Sequence, residues 1–572
     1  LDSTLTVASN NPAIRLLCHD LKAMIKQTDC LHTFKKNMKH FTLYLFAFII
    51  WPFGILLCQK HDNTWLMTAV SNKKFELKKI EINFSSSPPN VTLTNFDYHI
   101  ITMNLTMSDK DGHLDFYSNG CSIRNRNHKI MDNGSAFNAG ETHDVYCGKE
   151  DAYIVLRGVM ALPDSSGYFL FYIGANYLEN QCVYQDYRMA KIDMRENGGL
   201  GRVMWKDSSL LKDACIQDAS ATKHANGRDW WILLGNNRAP FYYRFLYEPN
   251  KGVRGPWIQQ IENPTIREYY YNGWSCFSPD GTKYVNMMNY KGTAFYDFDR
   301  CTGLLSNMRF VPAGPGSLNV PCCVFSPDSR YLYRTWRQGR EVIQYDTEAK
   351  DIGSSGVIVA PADSLGYHHI YTGLDGKFYI LCAFRDSCLN VLHFPNRRGW
   401  SSYFTPKSLK WDAITDPAAT YYPNYRLGPL DGSPCDTLGL DNLPEALWRH
   451  DIEDTLRPLR VTFTDLSYYE PTEWHWTFGD GAVSRDTSPV HTYARAGTYR
   501  VCLVVKNQNA SDTLCREITV GLSAAQEPLA VGPGVQVVPN PFDATLRVLL
   551  PAEAEGARLH FSLFDALGRP VR

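Results

Sequence analysis

Two clusters of polar residues have the composition that acid–base or metal chemistry requires, and the larger lies near the middle of the chain. Lys223, His224 and Asp229 stand close together in sequence, and a histidine oriented by an aspartate is the arrangement of a general base. The same residues also fit a polar loop ahead of the apolar run 230–234, in which Arg228 pairs with Asp229. Of the two interpretations we favour the loop.

The second cluster is acidic and holds Asp109, Asp111 and Asp115, with Gly112 where a tight turn needs it. These carboxylates suggest calcium, but the distal bidentate glutamate of an EF-hand loop is missing, so we expect a solvated hairpin turn. The sequence also has no His-Glu-x-x-His helix, no Gly-x-Ser-x-Gly elbow and no phosphate loop ending in Lys-Ser or Lys-Thr. We predict no catalytic, cofactor-binding or metal-binding residues and no cofactor.

The cysteine pattern indicates one disulfide. Three of the 16 cysteines lie near the N-terminus, which leaves an odd number, so at least one thiol is unpaired or bonded elsewhere. Cys502 and Cys515 are placed symmetrically about the turn 507–511, and opposed positions of an antiparallel hairpin lie within disulfide reach. We predict that these two are bonded. Cys322 and Cys323 are adjacent, which is poor geometry for sharing a metal.

The strands that carry Cys502 and Cys515 belong to a segment of clear two-residue alternation. Trp474 and Trp476 share one face of a strand, and Gly479 to Gly481 supplies a tight turn. In the next strand Tyr499, Val501, Leu503 and Val505 face one way, while Arg500, Cys502 and Val504 face the other. This pattern predicts a small β-sandwich.

The sandwich segment resembles a PKD domain, an immunoglobulin-like module of bacterial and animal surface proteins, over roughly residues 455–521. Three motifs match in order, and the matching residues are Trp476, Phe478, Gly479, Asp480, Gly481, His491, Tyr493, Gly497 and Tyr499. The resemblance implies an extracellular module that binds, spaces or presents, and we assign it residues 446–521.

Ahead of this module, short aromatic strands follow turns that contain Ser-Pro-Asp or Asp-Gly. The repeated turn-and-strand units are 108–117, 277–284, 325–332 and 374–380. A repeat of about 40–50 residues with four strands per unit is typical of a β-propeller, and residues 60–445 have room for seven or eight blades. The turns resemble those of TolB-like and WD-type propellers; a generic hairpin turn is the alternative. The Pro- and Gly-rich stretch 422–437 is where we expect the chain to leave the propeller.

A linker, 522–534, and a last segment, 535–572, follow the sandwich. Two motifs in the last segment resemble the type IX secretion C-terminal sorting domain, and they comprise Pro539, Asn540, Pro541 and Phe542, then Leu563, Phe564, Asp565, Gly568 and Arg569. The stretch 422–437, together with 119–120, 131–134 and 223–231, resembles a family of exported Bacteroidetes proteins that join a propeller-like region, a PKD domain and a sorting domain. It implies passage through the type IX machinery and attachment to the outer-membrane surface. Because the domain's final strands are missing, we expect either a fragment or a defective signal, and we favour a fragment. An ordinary edge hairpin is the alternative interpretation of these two motifs.

The N-terminal residues read as a targeting segment. Lys35, Lys36 and Lys39 precede the apolar run 41–57, as in a secretory signal peptide, which we place at 38–59 after an upstream leader, 1–37. A membrane anchor and a lipidated Cys58 are the alternatives.

These segments predict an all-β protein: a propeller, a PKD sandwich and a partial β-sandwich sorting domain. The formal net charge of -1 shows no excess of positive charge of the kind that binds nucleic acid. The leading hypothesis is a secreted or cell-surface binding or adhesion protein without enzymatic activity, in which the propeller recognises a glycan or protein and the PKD domain is a spacer or second binding module. The alternative is an extracellular enzyme that degrades polysaccharide or peptide in the propeller channel, which needs two carboxylates about 5–10 Å apart.

Overall fold

The structure is a computed structural model of the 572-residue chain. It describes residues 59–70, 76–86, 88–100, 103–148, 152–153, 155, 158–178, 181–236, 239–261, 274–288, 291–313, 322–336, 340–360, 366–382, 388–411, 414–415, 419–452, 459–521, 529–530, 536–538 and 547–549. Their regular structure is β apart from one α-helix, α1 (Glu141–Cys147), and 3₁₀ turns at Asn197–Gly199, Gly353–Ser355 and Gly399–Ser402. No helix among these residues is long and apolar enough to span a membrane.

Within the described part of 64–415, seven antiparallel sheets succeed one another, and we number them blades 1 to 7 in chain order. Blade 1 contains β1 (Thr64–Val70), β2 (Leu77–Asn83) and β3 (Asn90–Asn95); blade 2 contains β4 (Leu105–Ser108), β5 (Leu114–Ser118) and β6 (Ile123–Asn125); blade 3 contains β7 (Val159–Asp164), β8 (Gly167–Leu178), β9 (Gln181–Asp193) and β10 (Arg202–Leu211).

The later blades have four strands each in simple up-and-down order. Blade 4 contains β11 (Ile216–Lys223), β12 (Trp230–Asn236), β13 (Phe241–Glu248) and β14 (Gly252–Gln260); blade 5 contains β15 (Ser275–Phe277), β16 (Lys283–Met288), β17 (Gly292–Asp299) and β18 (Leu304–Pro312); blade 6 contains β19 (Cys323–Phe325), β20 (Tyr331–Trp336), β21 (Glu341–Asp346) and β22 (Val357–Ala360); blade 7 contains β23 (Tyr367–Thr372), β24 (Phe378–Cys382), β25 (Cys388–Leu392) and β26 (Phe404–Lys410).

The ring of blades is closed by strands from its two ends. The strand after blade 7, β27 (Ile414–Thr415), pairs antiparallel with the last two residues of β1, so blade 1 is assembled from both ends of the region. Closure of this kind leaves no open edge between the first and last blades. The region is therefore a seven-bladed β-propeller, which confirms the all-β prediction and fixes the blade number within the predicted seven or eight.

Buried aromatic rings fill the spaces between blades. Phe171 of blade 3 lies 5.5 Å from Tyr247 of blade 4, and Trp65 of blade 1 lies 5.7 Å from Tyr379 of blade 7, measured between ring centroids. Fully burying such rings accounts for much of the stability of these interfaces. The aromatic richness of the sequence is mostly core packing.

Each repeated turn predicted from the sequence connects the first and second strands of a blade. The turns between the first and second strands of blades 2 to 7 all lie at one end of the ring, which we call the turn face. They comprise residues 109–113, 165–166, 224–229, 278–282, 326–330 and 373–377. Serine and aspartate stabilise them: in blade 5 the Ser278 hydroxyl bonds the Asp280 carboxylate and accepts the Lys283 N–H.

Residues 448–520 fold into two facing sheets around a separate core. One sheet contains β28 (Trp448–Asp451), β29 (Arg460–Asp465) and β32 (Val490–Thr492); the other contains β30 (Glu473–Thr477), β31 (Val483–Ser484), β33 (Gly497–Lys506) and β34 (Ser511–Val520). Trp448, Trp476 and Phe463 pack between the sheets, as in other β-sandwiches. The alternation of β33 is as predicted, with Val501, Leu503 and Val505 buried and their neighbours less so.

Beyond the sandwich, three short strands form a small antiparallel sheet: β35 (Leu529–Ala530), β36 (Gln536–Val538) and β37 (Arg547–Leu549). The nine residues of the predicted sorting motif, in 539–542 and 563–569, lie outside the described residues, as do the leader and the signal segment up to residue 58. Those predictions stay predictions.

Candidate functional site

The propeller channel is crossed by the chain's own residues 419–428, which we call the channel segment. Tyr421 lies at the centre, where its hydroxyl is 3.1 Å from His369 Nδ1 of blade 7 and its ring is 4.8 Å from that of Trp274, just before blade 5. On the opposite side the Tyr425 hydroxyl donates to the Ala161 carbonyl of blade 3 at 2.8 Å. The segment therefore ties together blades on both sides of the ring.

The channel segment emerges at the turn face, where blade residues hold it in place. Asn424 donates to the Pro279 carbonyl at 2.8 Å, and Arg426 forms a two-pronged ion pair with Asp62 at 2.7 and 2.6 Å. Arg300 donates to the Gly428 carbonyl at 2.5 Å. The stretch that the sequence suggested as an exit from the propeller is, in its first half, part of the propeller's centre.

The sandwich lies directly on the turn face. Lys377 of the blade 7 turn forms an ion pair with Asp451 at the end of β28, with Nζ 2.6 Å from Oδ1. Arg449 of β28 donates to the His393 carbonyl of blade 7 at 2.6 Å, and the Arg426 guanidinium stacks 4.8 Å from the Tyr468 ring. Mostly buried ion pairs need a fixed partner geometry to offset the loss of water, so these contacts indicate a docked module.

Between the turn face and the sandwich is a cavity of about 790 Å³ that continues down the channel beside the channel segment. Its mouth is polar and is formed by both domains, with Asp280, Asp328 and Asn396 from the propeller and Thr464, Ser467 and Thr487 from the sandwich. Its floor is aromatic and sulfur-rich, with Trp274, Cys276, Cys323, His369, Tyr371 and Tyr421. Cavities of this size, apolar with a few converging polar groups, are typical ligand sites.

Two carboxyl groups with raised pKa values line the cavity mouth. Burial raises the pKa of Asp465, against hydrogen bonds from Ser467 and from the Trp474 indole, which donates to Oδ2 at 2.8 Å. Burial also raises the pKa of Glu470, the nearby charge of Asp431 adds to the effect, and Arg300 opposes it. Asp465 is committed to holding its own turn, so Glu470 is the carboxyl group better placed to act on a ligand.

A buried cation lies under the same face. Lys223, at the end of β11, is 3% exposed, and burial together with the charges of Arg300 and Arg426 lowers its pKa to about 7. Its ammonium lies 5.5 Å from the Trp230 ring centroid. Lys223 does not line the cavity, so it contributes to the positive field of the turn face rather than to ligand contact.

The polar cluster that follows Lys223 forms a turn, not an acid–base pair. Asp229 is held by Arg228, with Nε at 2.7 Å from Oδ1, and by Asn226, also at 2.7 Å. His224 instead places Nε2 3.1 Å from the Cys301 carbonyl. The loop interpretation of this segment fits these contacts.

The carboxylates of the acidic cluster near residue 110 also bond to separate partners. Asp109 accepts the backbone N–H groups of Asp111 and His113 at 2.9 and 3.0 Å, as a turn former does. Asp115 points into the interface with blade 3, where the Tyr168 hydroxyl donates to it at 3.2 Å. Across the residues that the structure describes, no group of three or more His, Cys, Asp or Glu side chains is arranged to hold a metal ion.

The residues of the sandwich motif contact one another in sequence inside the PKD-like sandwich, through stacked rings and hydrogen bonds. Trp476 donates from its indole to the Asp486 carbonyl at 3.0 Å, and Phe478 stacks on His491 with centroids 4.2 Å apart. Tyr493 donates to the Phe478 carbonyl at 3.1 Å and stacks on Tyr499. None of these side chains lines the cavity, so their role is to build the sandwich.

The turn of the same motif explains its glycines and its aspartate. Gly479 has φ +83°, and a Cβ there would meet the Arg500 carbonyl oxygen at 2.7 Å; Gly481 has φ +96°. Burial opposes ionisation of Asp480, but His491, 2.7 Å away, and the Ala482 N–H outweigh it and lower the pKa of Asp480. Gly497 begins β33 beside this turn.

Among the residues that the structure describes there are three disulfides, and one of them is Cys502–Cys515, directly opposed in the β33–β34 hairpin. The other two are Cys121–Cys147 and Cys301–Cys435, with sequence separations of 26 and 134 residues. No hairpin symmetry marks these pairs, so spacing alone does not reveal them. Cys301–Cys435 ties a blade 5 turn to the stretch just beyond the channel segment.

Comparison with known proteins identifies the sandwich. Residues 445–521 match the model of the PKD domain family, so this part of the chain is a PKD domain. The solved PKD1 domain of Vibrio anguillarum Epp is 28% identical over 14% of this chain and 95% of its own, with a TM-score of 0.13. The collagenase ColQ1 of Bacillus cereus (strain Q1) is 45% identical over 38 residues, which are 7% of this chain and 4% of the collagenase.

The propeller region also has solved structural counterparts. The periplasmic gluconolactonase PpgL of Pseudomonas aeruginosa is 12% identical, covers 63% of this chain and 100% of its own, and has a TM-score of 0.37. At this sequence identity and TM-score, the likeness to the gluconolactonase is no evidence for the activity of this chain. The fold assignment rests on the strand order of this chain.

Proposed function

We propose that this chain is an extracellular binding protein in which the propeller and the PKD domain together hold a glycan or protein ligand in the cavity between them. The observation that carries the proposal is that both domains line one cavity of about 790 Å³. Three disulfides and a PKD domain are features of extracellular proteins. In this proposal the PKD domain forms one side of the binding site and is not only a spacer.

The chemistry of the cavity fits an extended polar ligand with an apolar or ring-shaped end. Hydroxyl and amide groups at the mouth, such as Thr464, Thr487 and Asn396, offer hydrogen bonds. Aromatic rings at the floor, such as Trp274 and Tyr421, offer flat faces against which sugar rings or apolar side chains stack.

Binding to a glycan and protein array, with cavity-filling variants, tests the proposal. Thr487 and Asn396 are exposed and face the cavity from the sandwich and the propeller respectively. Thr487→Trp and Asn396→Trp are each expected to weaken binding at least tenfold. Thr513→Trp, at an exposed position of β34 that does not line the cavity, is the matched control and is expected to bind like the wild type. Equal binding by all four proteins contradicts the proposal.

The second candidate is an extracellular hydrolase of polysaccharide or peptide, and the raised pKa of Glu470 at the cavity mouth favours it. A carboxyl group that keeps its proton nearer to neutral pH is suited to general acid catalysis. Incubation with a panel of polysaccharides and peptides decides between the candidates. Turnover that Glu470→Gln abolishes supports the hydrolase, and binding without turnover supports the binding protein.

We also propose that residues 535–572 act as a type IX sorting domain that takes the protein through that secretion machinery to the outer-membrane surface of a Bacteroidetes cell. The motif from Pro539 to Phe542 and the motif from Leu563 to Arg569 support this. In a host with that machinery, deletion of 535–572 is expected to keep the protein in the periplasm. Export of the deleted form at the wild-type level contradicts the proposal.

A further inference from the structure

The first strands of blades 4 to 6 are connected by contacts between small side chains. Ser220 of β11 lies 2.7 Å from Ser275 of β15, Oγ to Oγ. Cys276, the next residue of β15, has Sγ 3.5 Å from Sγ of Cys323 in β19. Side chains of two successive residues of β15 thus link this strand to β11 on one side and to β19 on the other.

Strand geometry explains why Cys276 and Cys323 face each other. Successive residues of a strand point to opposite faces, so Cys276 faces blade 6 because Ser275 faces blade 4. Likewise, Cys322 is turned toward blade 7, where its sulfur accepts the Ile370 N–H at 3.3 Å, and Cys323 is turned toward blade 5. The adjacency of Cys322 and Cys323 sends the two thiols to two different blade interfaces.

Both cysteines line the floor of the cavity, so a small thiol reagent has a path to them. Neither belongs to the three disulfides of the structure. Bond formation requires the sulfur atoms to approach from 3.5 Å to about 2.05 Å. The same chain already carries three disulfides, which places it among proteins that fold in an oxidising compartment.

We propose that Cys276 and Cys323 form a fourth disulfide, which crosslinks blades 5 and 6 at the floor of the cavity. It forms by thiol–disulfide exchange with a small-molecule or protein disulfide: one S–S bond forms between Cys276 and Cys323, the partner's S–S bond breaks, and the two thiol protons pass to the partner's sulfurs, leaving it as a dithiol. The crosslink fixes the spacing of two inner strands and hence the shape of the cavity floor.

Peptide mapping of the full chain, secreted under oxidising conditions, tests this inference without any variant. The protein is denatured with an alkylating reagent and no reductant, then digested and analysed by mass spectrometry. The expected product is a linked peptide pair containing Cys276 and Cys323, lighter than the two thiol peptides together by two hydrogen atoms. Recovery of both residues as alkylated thiols, or of Cys323 bonded to another cysteine, overturns the proposal.

A stability measurement separates a crosslink from simple packing. Cys276→Ser/Cys323→Ser is expected to melt several degrees below the wild type without reductant, and this difference is expected to vanish in a reducing buffer that opens the wild-type bond. Cys388→Ser, a change at another buried cysteine outside the three disulfides, is expected to show the same difference in both buffers. A difference for the double variant that persists unchanged under reduction overturns the proposal.

Discussion

At the scale of single residues, the polar clusters that the sequence singled out as possible acid–base or metal sites form hydrogen-bonded turns. His224 and Asp229 are neighbours in sequence but bond to different partners, because the tight turn 224–229 directs their side chains apart. Asp109 and Asp115 separate in the same way. Sequence reasoning succeeded where a pattern is local, as in the Cys502–Cys515 hairpin, and could not foresee Glu470, whose setting depends on a second domain.

Asp115 is expected to make stability depend on pH. Burial raises its pKa from 3.8 to about 6, so between those values the folded state holds a proton that the unfolded state has released. Stability therefore falls as pH rises through this window and stays lower above it. Asp115→Asn keeps an oxygen to accept from Tyr168 and is expected to gain on the order of 2 kcal/mol above pH 6.

Denaturant unfolding of the two proteins at a series of pH values measures this effect. The curves are expected to coincide near pH 4 and to separate as pH rises to 6. A constant offset between them at all pH values would mean that the ionisation of Asp115 is not the cause.

The Cys502–Cys515 disulfide is expected to stabilise the PKD domain. It closes a loop with a sequence separation of 13 residues, and loops of about that length gain about 3 kcal/mol in the chain-entropy account. Cys502→Ala/Cys515→Ala should lower the unfolding midpoint of the PKD domain, measured by the fluorescence of its tryptophans. No change in that midpoint would show that the hairpin holds its register without the bond.

At the scale of elements, the sequence predicted the repeated turns but not the position of the channel segment. The Ser-Pro-Asp and Asp-Gly turns recur because each blade needs the same reversal, so the propeller could be predicted from their spacing. The channel segment has no alternation, and it opens into the Pro- and Gly-rich stretch 422–437, which the sequence suggested as an exit from the propeller. Its partners, such as Ala161 and Pro279, are distant in sequence, so only the assembled ring defines its position.

The channel segment is expected to be as important for stability as a blade strand. Tyr425 is fully buried between blades, so Tyr425→Ala should cost about 3–5 kcal/mol of unfolding free energy. Tyr403→Ala is the matched control, because Tyr403 is 45% exposed on a blade 7 turn, and its replacement should cost well under 1 kcal/mol. Chemical denaturation measures both; similar small losses would show that the segment is not part of the core.

At the scale of the whole molecule, the two domains form one unit with a shared cavity. The sequence indicated a propeller and a PKD domain but not their contact. The docking residues are a lysine in a turn, an arginine on an edge strand and an arginine that stacks on a tyrosine ring, and none of these has a sequence pattern. This contact gives the PKD domain a part in the cavity wall, and the proposed function depends on it.

A double-mutant cycle between Lys377 of the propeller and Asp451 of the PKD domain tests this docking most directly. The unfolding free energies of the wild type, Lys377→Met, Asp451→Asn and the double variant give the coupling energy of the pair. Because the two side chains are mostly buried and 2.6 Å apart, the account predicts a coupling of about 1–3 kcal/mol. A coupling indistinguishable from zero would mean that the PKD domain does not rest on the turn face, and the shared cavity would not exist.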